Sequence, residues 1–375
     1  MIRVLNVISD SNIGGAGRVI QTYLRASDRT RFETMVAMPR GSLLKPVIEE
    51  AGGAVYEVDG LADRSYHRDD VRVLTELIRK VNPDIVHTHG ALSGRIAGRR
   101  CGKAVVYTRH SAFPVPAKLK YPPGRWVNKL VNEHYADHII AVSPAAAKNL
   151  TDTGISEKII TVMMNGVAPL TRVGEEECAA LREELGIAPD VFTAGILARI
   201  EPYKGHRYIL EAAEILRREG RTFRILIAGT GSYEDEVRRA IAEKKLENEV
   251  LFLGFRSDVS KLLSILDVQL NASYGTEASS IALCEGMSLG VPAVVSDYGG
   301  NPWQIDDGED GLIFPSRDSA ALAKALARLM DEPETLKYMQ KRAVEIFNER
   351  FTGEIFARNV ERVYLKTLEE TRHGN

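Results

Sequence analysis

Residues 267–302 read DVQLNASYGTEASSIALCEGMSLGVPAVVSDYGGNP. Two short apolar runs in this stretch, VQLNA and PAVVS, flank a segment that is expected to open a helix, and this order is typical of a parallel α/β sheet. The same alternation runs through the chain, with VLNVI, TMVAM, DIVHTH, AVVYT and HIIAVS in the first half and FTAGILA, FRILIAG and VLFLG in the second. Since both halves show it, we predict an α/β protein with one doubly wound sheet in each half.

The length and the helical C-terminal part indicate how the chain is divided. A chain of 375 residues is typical of two domains. We predict a first domain at residues 1–165 and a second at residues 166–353, with the linker inside residues 166–189. From Ser319 onward the strand patterns stop, and the last helical pattern, residues 354–372, carries an apolar stripe that must be buried. We expect this helix to cross back onto the first domain.

The composition is that of a soluble globular protein, with 44% hydrophobic and 27% charged residues. No apolar run approaches the ~20 residues that cross a bilayer. The three cysteines, Cys101, Cys178 and Cys284, are widely spaced and show no pairing typical of a metal site. These features predict a cytoplasmic protein.

The formal net charge of −2 hides an uneven distribution. The first 165 residues carry 23 Lys and Arg against 16 Asp and Glu, and the remainder carries 26 against 35. Such a basic half indicates an anionic partner, while the acidic second half argues against nucleic acid. The bias is strongest in residues 85–132, which contain no carboxylate and nine basic side chains: Arg95, Arg99, Arg100, Lys103, Arg109, Lys118, Lys120, Arg125 and Lys129.

Part of this basic stretch, PAKLKYPPGRWVNKL at residues 116–130, mixes Lys and Arg with Tyr121, Trp126, Val127 and Leu130. It could meet anionic lipid headgroups or a lipid-diphosphate acceptor, which would place the protein peripherally at the inner face of the membrane. The alternative is an ordinary exposed loop and helix. The sequence alone leaves both interpretations open.

Seven residues separate Glu277 and Glu285 in the stretch quoted first. If both lay on one helix they would be ~12 Å apart along its axis, too far to share one substrate atom but suited to the two ends of an elongated ligand. Residues 278–281 would open a helix whose free amides and positive dipole end suit a diphosphate. The alternative is a helix with two solvated glutamates.

This Glu-to-Glu segment, followed by GVPAVVSDYGG and DGEDGLIFP, resembles the signature of the retaining family-four glycosyltransferases of group 1. The resemblance covers essentially the whole chain. It implies the GT-B fold, in which two Rossmann-like domains face a cleft. It further implies that Glu277 contacts the donor sugar and Glu285 the nucleotide ribose, while backbone amides near Ser280 and Ile281 contact the phosphates.

A second element of the resemblance is ILARIEPYKGH, with Arg199 at a strand end and Lys204 five residues later. The resemblance implies that the two cations bracket the diphosphate, whose negative charge grows as the glycosidic bond breaks. No Asp-x-Asp triad follows a strand, so we expect transfer without a metal or any other cofactor. The alternative is a surface Arg and a helix-capping Lys.

Three further loops match the family pattern. GFRSDV, around Arg256, is similar to the loop whose backbone meets the base, and AGTGSY places Gly229 in the usual glycine turn. Asn165 opens an N-G-V motif near the hinge, although Ala168 replaces the Asp that relatives carry there.

The N-terminal half carries two more candidate elements. Gly14 and Gly15 directly follow the first strand, where a bare backbone can approach donor phosphate or acceptor, but Gly17 stands where the family commonly has an acidic residue. In TRHSAF, His110 occupies the position that relatives place beside the donor sugar. We expect His87 and His89, in DIVHTHG, to be mainly architectural.

The resemblance implies retaining transfer of a hexosyl or N-acetylhexosaminyl group from a nucleoside-diphosphate sugar to a hydroxyl of a glycan or lipid-linked acceptor, in bacterial surface polysaccharide synthesis. A UDP-sugar is favoured over a GDP-sugar, the first domain is expected to bind the acceptor, and the second is expected to bind the donor. The alternatives are a sugar-nucleotide epimerase on the same fold and a non-catalytic two-domain sugar-binding protein.

Overall fold

The structure is a computed structural model that describes residues 1–61 and 64–373. The chain divides into two units. One contains Met1–Val167 and the segment that begins at Phe351, and the other contains Ala168–Arg350.

The first unit alternates strands and helices, as the apolar periodicity predicts. Its elements are β1 (Ile2–Val7), α1 (Gly15–Ala26), β2 (Phe32–Pro39), α2 (Leu44–Glu50), β3 (Ala54–Val58), α3 (Arg68–Val81), β4 (Ile85–Thr88), α4 (Leu92–Arg100), β5 (Ala104–Arg109), α5 (Ala117–Lys120), α6 (Gly124–Tyr135), β6 (His138–Ala141), α7 (Pro144–Asp152) and β7 (Ile160–Val162). The strands form one parallel sheet in the order β3-β2-β1-β4-β5-β6-β7.

The second unit repeats this plan. Its elements are α8 (Glu175–Glu184), β8 (Phe192–Leu197), α9 (His206–Arg218), β9 (Phe223–Ala228), α10 (Glu234–Glu243), β10 (Val250–Gly254), α11 (Val259–Ser264), β11 (Val268–Asn271), α12 (Ile281–Ser288), β12 (Ala293–Ser296), α13 (Asn301–Gln304), β13 (Gly311–Phe314), α14 (Ser319–Asp331) and α15 (Pro333–Arg350). The parallel sheet has the order β10-β9-β8-β11-β12-β13.

The last helix, α16 (Gly353–His373), packs on the first unit as expected. The amide of Val167 donates to the carbonyl of Phe351, and the amide of Gly353 donates back to the carbonyl of Val167, each over 2.9 Å. Tyr364 is fully buried, and its ring meets Tyr23 edge-on with 5.9 Å between centroids. The predicted apolar stripe is therefore buried on the unit where the chain began.

Three strands were not predicted: β3, β7 and β13. All three lie at a sheet edge, where an edge strand is short or carries charge and so gives a weak apolar signal. In β3, Glu57 interrupts the apolar run and pairs with Lys45 over 2.7 Å. The boundary between Val167 and Ala168 lies inside the range predicted for the linker, and the later part of that range belongs to the second unit, because Leu181 of α8 and Ile187 pack into its core.

Both sheets reverse their strand order once, between β1 and β4 and between β8 and β11. In open parallel sheets, ligands bind beyond the carboxyl ends of the strands at such a reversal. The loops that follow these four strands are therefore where the candidate residues should be sought.

Candidate functional site

In the second unit, glycines let the loops after β8, β9 and β11 pack backbone against backbone. Gly229 has φ +145°, and a Cβ on it would lie 1.9 Å from the carbonyl oxygen of Ala198. Its amide donates to the carbonyl of Gly254 over 2.8 Å. Gly229 therefore supports the loop that carries Arg199, and any side chain here would displace that loop.

Glu277 is the centre of the polar contacts in these loops. Its Oε2 accepts hydrogen bonds from Lys204 Nζ at 2.7 Å, Asn271 Nδ2 at 3.0 Å and Ser273 Oγ at 3.1 Å. Oε1 accepts from none of the described residues. One carboxylate oxygen is thus fixed by the protein, while the other remains available to a ligand.

The Glu277 side chain is 7% exposed and that of Lys204 17%. Burial by itself raises the pKa of the Glu277 carboxyl, but the Lys204 ammonium and the hydrogen bonds from Asn271 and Ser273 outweigh burial and hold the pKa below its ordinary value. Glu277 is therefore a stable carboxylate acceptor at neutral pH, with a fixed orientation.

The SDYGG segment holds the backbone of Glu277 in place. The amide of Gly300 donates to the carbonyl of Glu277 over 3.0 Å. A Cβ on Gly300 would lie only 1.7 Å from the carbonyl oxygen of Ala278. The SDYGG segment thus positions the backbone of Glu277 and Ala278, because a glycine without a side chain allows the two loops to come into contact.

Replacing Gly300 by alanine is expected to lower the free energy of unfolding by about 2–3 kcal/mol, since the added methyl group overpacks this contact. Urea-induced unfolding measures the loss. Gly174→Ala is the matched control, because a Cβ at Gly174 meets open space. Equal stability of the two variants would contradict the close approach.

Glu277 lies ahead of α12, so the two glutamates do not share one helix. The helix begins at Ile281, and Ser280 is its N-cap, whose Oγ accepts from the amide of Leu283 over 3.4 Å. Gln304 fixes this cap from both sides, accepting from the amide of Ser280 at 2.6 Å and donating to its carbonyl at 2.9 Å. Glu285 lies on α12 and is 8% exposed.

The two candidate arginines differ in how far their side chains are already engaged. Arg199 is exposed, and its guanidinium pairs with none of the described residues. Arg256 donates to both oxygens of Asp258, at 2.8 and 2.6 Å, and also reaches Glu184 at 3.4 Å. Arg199 is therefore free to meet an anion, whereas Arg256 can contribute its backbone, as the resemblance implies.

In the first unit, the loop after β1 leads into an open helix end. Gly14 is the N-cap of α1, which begins at Gly15 and has neither a side-chain cap nor an acidic residue in its first turn. The departure at Gly17 has a packing reason, because a Cβ there would lie 2.2 Å from Leu44 Cδ2. Asn165 is buried near the end of this unit.

The histidines of the first unit form a chain at the carboxyl ends of β4 and β5. His89 Nε2 lies 2.9 Å from Asn6 Oδ1, and His89 Nδ1 lies 2.8 Å from His110 Nε2. Because a carbonyl oxygen only accepts, His89 carries its proton on Nε2 and accepts from His110 Nε2–H. Neutral His110 then presents Nδ1 as an acceptor.

His87 anchors this chain to the C-terminal helix. Its Nδ1 lies 2.7 Å from the Tyr364 hydroxyl, and its Nε2 lies 2.6 Å from Thr108 Oγ1. Both contacts are buried. The expectation that His87 is architectural agrees with this placement, whereas His89 also sets the tautomer of His110.

Acidification is expected to destabilise the first unit. Burial lowers the pKa of His87 from 6.5 to about 3, and burial lowers that of His110 to about 4. As the pH falls from 6.5 toward 4, the unfolded chain binds protons that the folded chain does not. The free energy of unfolding therefore decreases, by up to about 1.4 kcal/mol per pH unit for each histidine.

Urea unfolding across this pH range measures the slope. His110→Gln should reduce the slope. An unaltered slope in His110→Gln would contradict the prediction.

Six residues of these sites were not predicted from the sequence: Asn6, Thr108, Asn271, Ser273, Gln304 and Tyr364. Asn271 and Ser273 stand at the carboxyl end of the apolar run DVQLNAS, and polar residues at that position are the signal that could have identified them. Gln304 and Tyr364 are distant in sequence from the groups they contact and carry no local signal. Within the described residues, no group of three His, Cys, Asp or Glu side chains could hold a metal ion.

Comparisons with known proteins match both halves of the chain. The family model described as Glycosyltransferase Family 4 matches residues 13–169, and that described as Glycosyl transferases group 1 matches residues 179–346. EpsD of Bacillus subtilis, named as a glycosyltransferase, is 30% identical over 281 residues, covering 70% of this chain and 71% of EpsD. UDP-Gal:alpha-D-GlcNAc-diphosphoundecaprenol alpha-1,3-galactosyltransferase of Escherichia coli is 28% identical over 291 residues, covering 72% of this chain and 71% of that enzyme.

Solved structures show the same fold. HepE of Anabaena, crystallised with UDP and with UDP-glucose, aligns with TM-scores of 0.83 and 0.82. The alignments cover 98% of this chain and 100% of HepE at 19% identity. Together with the family models and the two doubly wound sheets, they show that this chain belongs to the family-four glycosyltransferases of group 1 and has the GT-B fold.

Proposed function

We propose that this glycosyltransferase moves a hexosyl or N-acetylhexosaminyl group from a nucleoside-diphosphate sugar, with retention of the anomeric configuration and without a metal ion. The observation that carries the proposal is the single available oxygen of Glu277, beside Lys204 and the start of α12. HepE was crystallised with UDP and UDP-glucose, and the E. coli relative is named for UDP-Gal. These relatives favour a UDP-sugar over a GDP-sugar.

This proposal gives a role to four charged side chains of the second unit. Glu277 Oε1 accepts from hydroxyls of the donor sugar, and Glu285 accepts from the ribose diol. Arg199 and Lys204 stabilise the charge that develops on the departing diphosphate, together with the first amides of α12 near Ile281. Two side-chain cations supply the charge that a divalent ion would otherwise provide.

The proposed chemistry is a front-side substitution. The bond from the anomeric carbon to the diphosphate oxygen breaks, the acceptor oxygen bonds on the same face, and the acceptor proton passes to the departing phosphate. Glu277 is a poor nucleophile for a double displacement, because three donors stabilise its Oε2. The protein contributes positioning and charge stabilisation.

We assign acceptor binding to the first unit, with a glycan or lipid-linked acceptor in bacterial surface polysaccharide synthesis. The start of α1 at Gly15 offers its first amides to an anionic group, while the amide of Gly14 already donates to the carbonyl of Asn12. His110 Nδ1 offers an acceptor to a sugar hydroxyl. The E. coli relative is named for a diphosphoundecaprenol acceptor, which supports a lipid-linked one, and we place the protein at the inner face of the membrane through residues 85–132.

Incubation with UDP-glucose, UDP-galactose, UDP-N-acetylglucosamine or GDP-mannose, each with a lipid-linked GlcNAc diphosphate, tests the proposal. We expect transfer from a UDP-sugar, retention of configuration by NMR, and unchanged turnover in EDTA. An inverted product contradicts the mechanism, and turnover lost in EDTA and restored by Mg²⁺ contradicts metal independence. A changed sugar without acceptor identifies an epimerase, and binding without turnover identifies a sugar-binding protein.

Glu285→Gln is expected to weaken UDP binding about tenfold to a hundredfold, because a charge-assisted hydrogen bond to the ribose contributes about 1.5–3 kcal/mol. Titration calorimetry with UDP alone measures this loss. Glu277→Gln is the matched control, since it should change turnover and leave the affinity for free UDP nearly intact. The reverse pattern would exchange the roles of the two glutamates.

A further inference from the structure

Polar side chains attach helix α6 to the first unit. Arg95 Nη1 donates to Asn132 Oδ1 over 2.8 Å, and the amide of Ser156 donates to Glu133 Oε1 over 2.8 Å. Asn128 Nδ2 reaches the carbonyl of Thr153. Asn128, Asn132 and Glu133 thus attach the helix to neighbouring elements, and Val131 and Tyr135 are half-buried.

The apolar side of α6 faces outward. Trp126 is 67% exposed, Val127 59% and Leu130 72%, and their spacing places all three on one face of the helix. Tyr121, just before the helix, is 68% exposed. A surface helix of a globular protein normally buries its large apolar side chains, but α6 leaves Trp126, Val127 and Leu130 without a partner among the described residues.

Cations surround this apolar face. Lys118 and Lys120 lie on α5, and Arg125 and Lys129 lie on α6, and their side chains pair with none of the described residues. Arg125, Trp126 and Lys129 also line an open depression of about 220 Å³. No acidic residue occurs between Asp84 and Glu133 to balance these charges.

We propose that α5 and α6 form the surface by which this protein binds an anionic membrane, with Trp126, Val127 and Leu130 inserted at the level of the headgroups. An interfacial helix with aromatic and aliphatic residues on one face and Lys and Arg beside them has the required chemistry. Lysine is depleted in protein–protein interfaces, so the cations favour a lipid surface over a protein partner. The Arg125 and Lys129 depression suits one headgroup phosphate.

The inference assigns the membrane contact of the proposed function to the helices α5 and α6. It rests on the proposed function only because a lipid-linked acceptor explains why the protein binds a membrane. Its test therefore uses the full chain without donor or acceptor. If the protein does not bind vesicles, it can still transfer sugar to a soluble acceptor. If it does not transfer sugar, it can still bind vesicles, so the two failures are distinguishable.

Flotation with phosphatidylcholine vesicles, with and without phosphatidylglycerol, is the first measurement. We expect binding that requires the anionic lipid and weakens with added salt. Replacing one of the four cations by glutamine should lower the partition coefficient about fivefold. If the protein did not float with anionic vesicles at low salt, the inference would be overturned. The apolar face of α6 would then bind either a protein or no partner.

Tryptophan fluorescence locates the contact, because the chain has only two tryptophans, Trp126 and Trp303. In a Trp303→Phe background, anionic vesicles should shift the Trp126 emission to shorter wavelength. If the protein bound vesicles without a shift in the Trp126 emission, the assignment to α6 would be overturned. A different outcome is a Trp126 emission that shifts without vesicles as the protein concentration rises, with dimers seen in ultracentrifugation. That result would assign the apolar face of α6 to contact with a second copy of the chain.

The double variant Trp126→Ser with Leu130→Ser should abolish flotation while the chain stays folded, since neither side chain is buried. Leu43→Ser is the matched control, because Leu43 is 60% exposed in the same unit but distant in sequence from α6. Circular dichroism verifies that both proteins are folded. Equal flotation of the two would contradict the role of the apolar face.

Discussion

Lys204→Ala is expected to lower turnover about 10²–10³-fold, the loss typical of removing one donor that stabilises developing negative charge. The substitution also leaves Glu277 without its cation, although Asn271 and Ser273 still donate to it. Breaking such a pair costs about 3 kcal/mol of folding free energy, at the low end for buried pairs. Turnover under saturating donor and urea unfolding measure the two losses separately.

A double-mutant cycle separates catalysis from stability. Adding Glu277→Gln to Lys204→Ala removes the unpaired carboxylate, so part of the lost stability should return, while turnover should stay low. If the double variant had the same turnover as Glu277→Gln alone, Lys204 would serve only to hold Glu277. Full turnover in Lys204→Ala alone would remove the assignment to the diphosphate.

Arg199→Ala is expected to lower turnover by a similar factor of about 10²–10³, because its guanidinium is the second cation assigned to the departing diphosphate. In contrast to Lys204, its removal should leave stability nearly unchanged, since Arg199 is exposed and pairs with none of the described residues. Parallel turnover and unfolding measurements therefore distinguish the two residues.

The control for this variant is Arg239→Ala, which removes an exposed arginine on α10. It should preserve both turnover and stability. Equal turnover in the Arg199 and Arg239 variants would show that Arg199 is an ordinary surface residue, which is the alternative that the sequence left open.

Most of the fold could be predicted because apolar periodicity is a local property. The central strands β1, β4, β8 and β11 lie in short runs that contain Val, Ile or Leu, as expected for strands covered on both faces. The edge strands β3, β7 and β13 escaped prediction because one side of each lacks a neighbouring strand, so charge or short length is tolerated there.

The site was predicted less evenly. Glu277 and Lys204 are 73 residues apart in sequence, and the resemblance named both without indicating that they form an ion pair. Residues 278–281 open a helix as predicted, and Glu277 lies outside it, because Gly300 and Gln304 hold the backbone before α12 in a conformation that starts the helix at Ile281. The roles assigned to the site residues stay predictions.

By itself, the sequence determined the α/β class, the duplicated plan, the returning C-terminal helix and the family. These four properties depend on apolar periodicity and on the order of motifs, and both can be read from residues that are near one another in the sequence. Only the tertiary structure decided which oxygen of Glu277 is available, that Gly17 packs against Leu44, and that Trp126, Val127 and Leu130 of α6 face outward. Those properties depend on which distant groups meet when parallel strands end side by side, and no local pattern encodes such meetings.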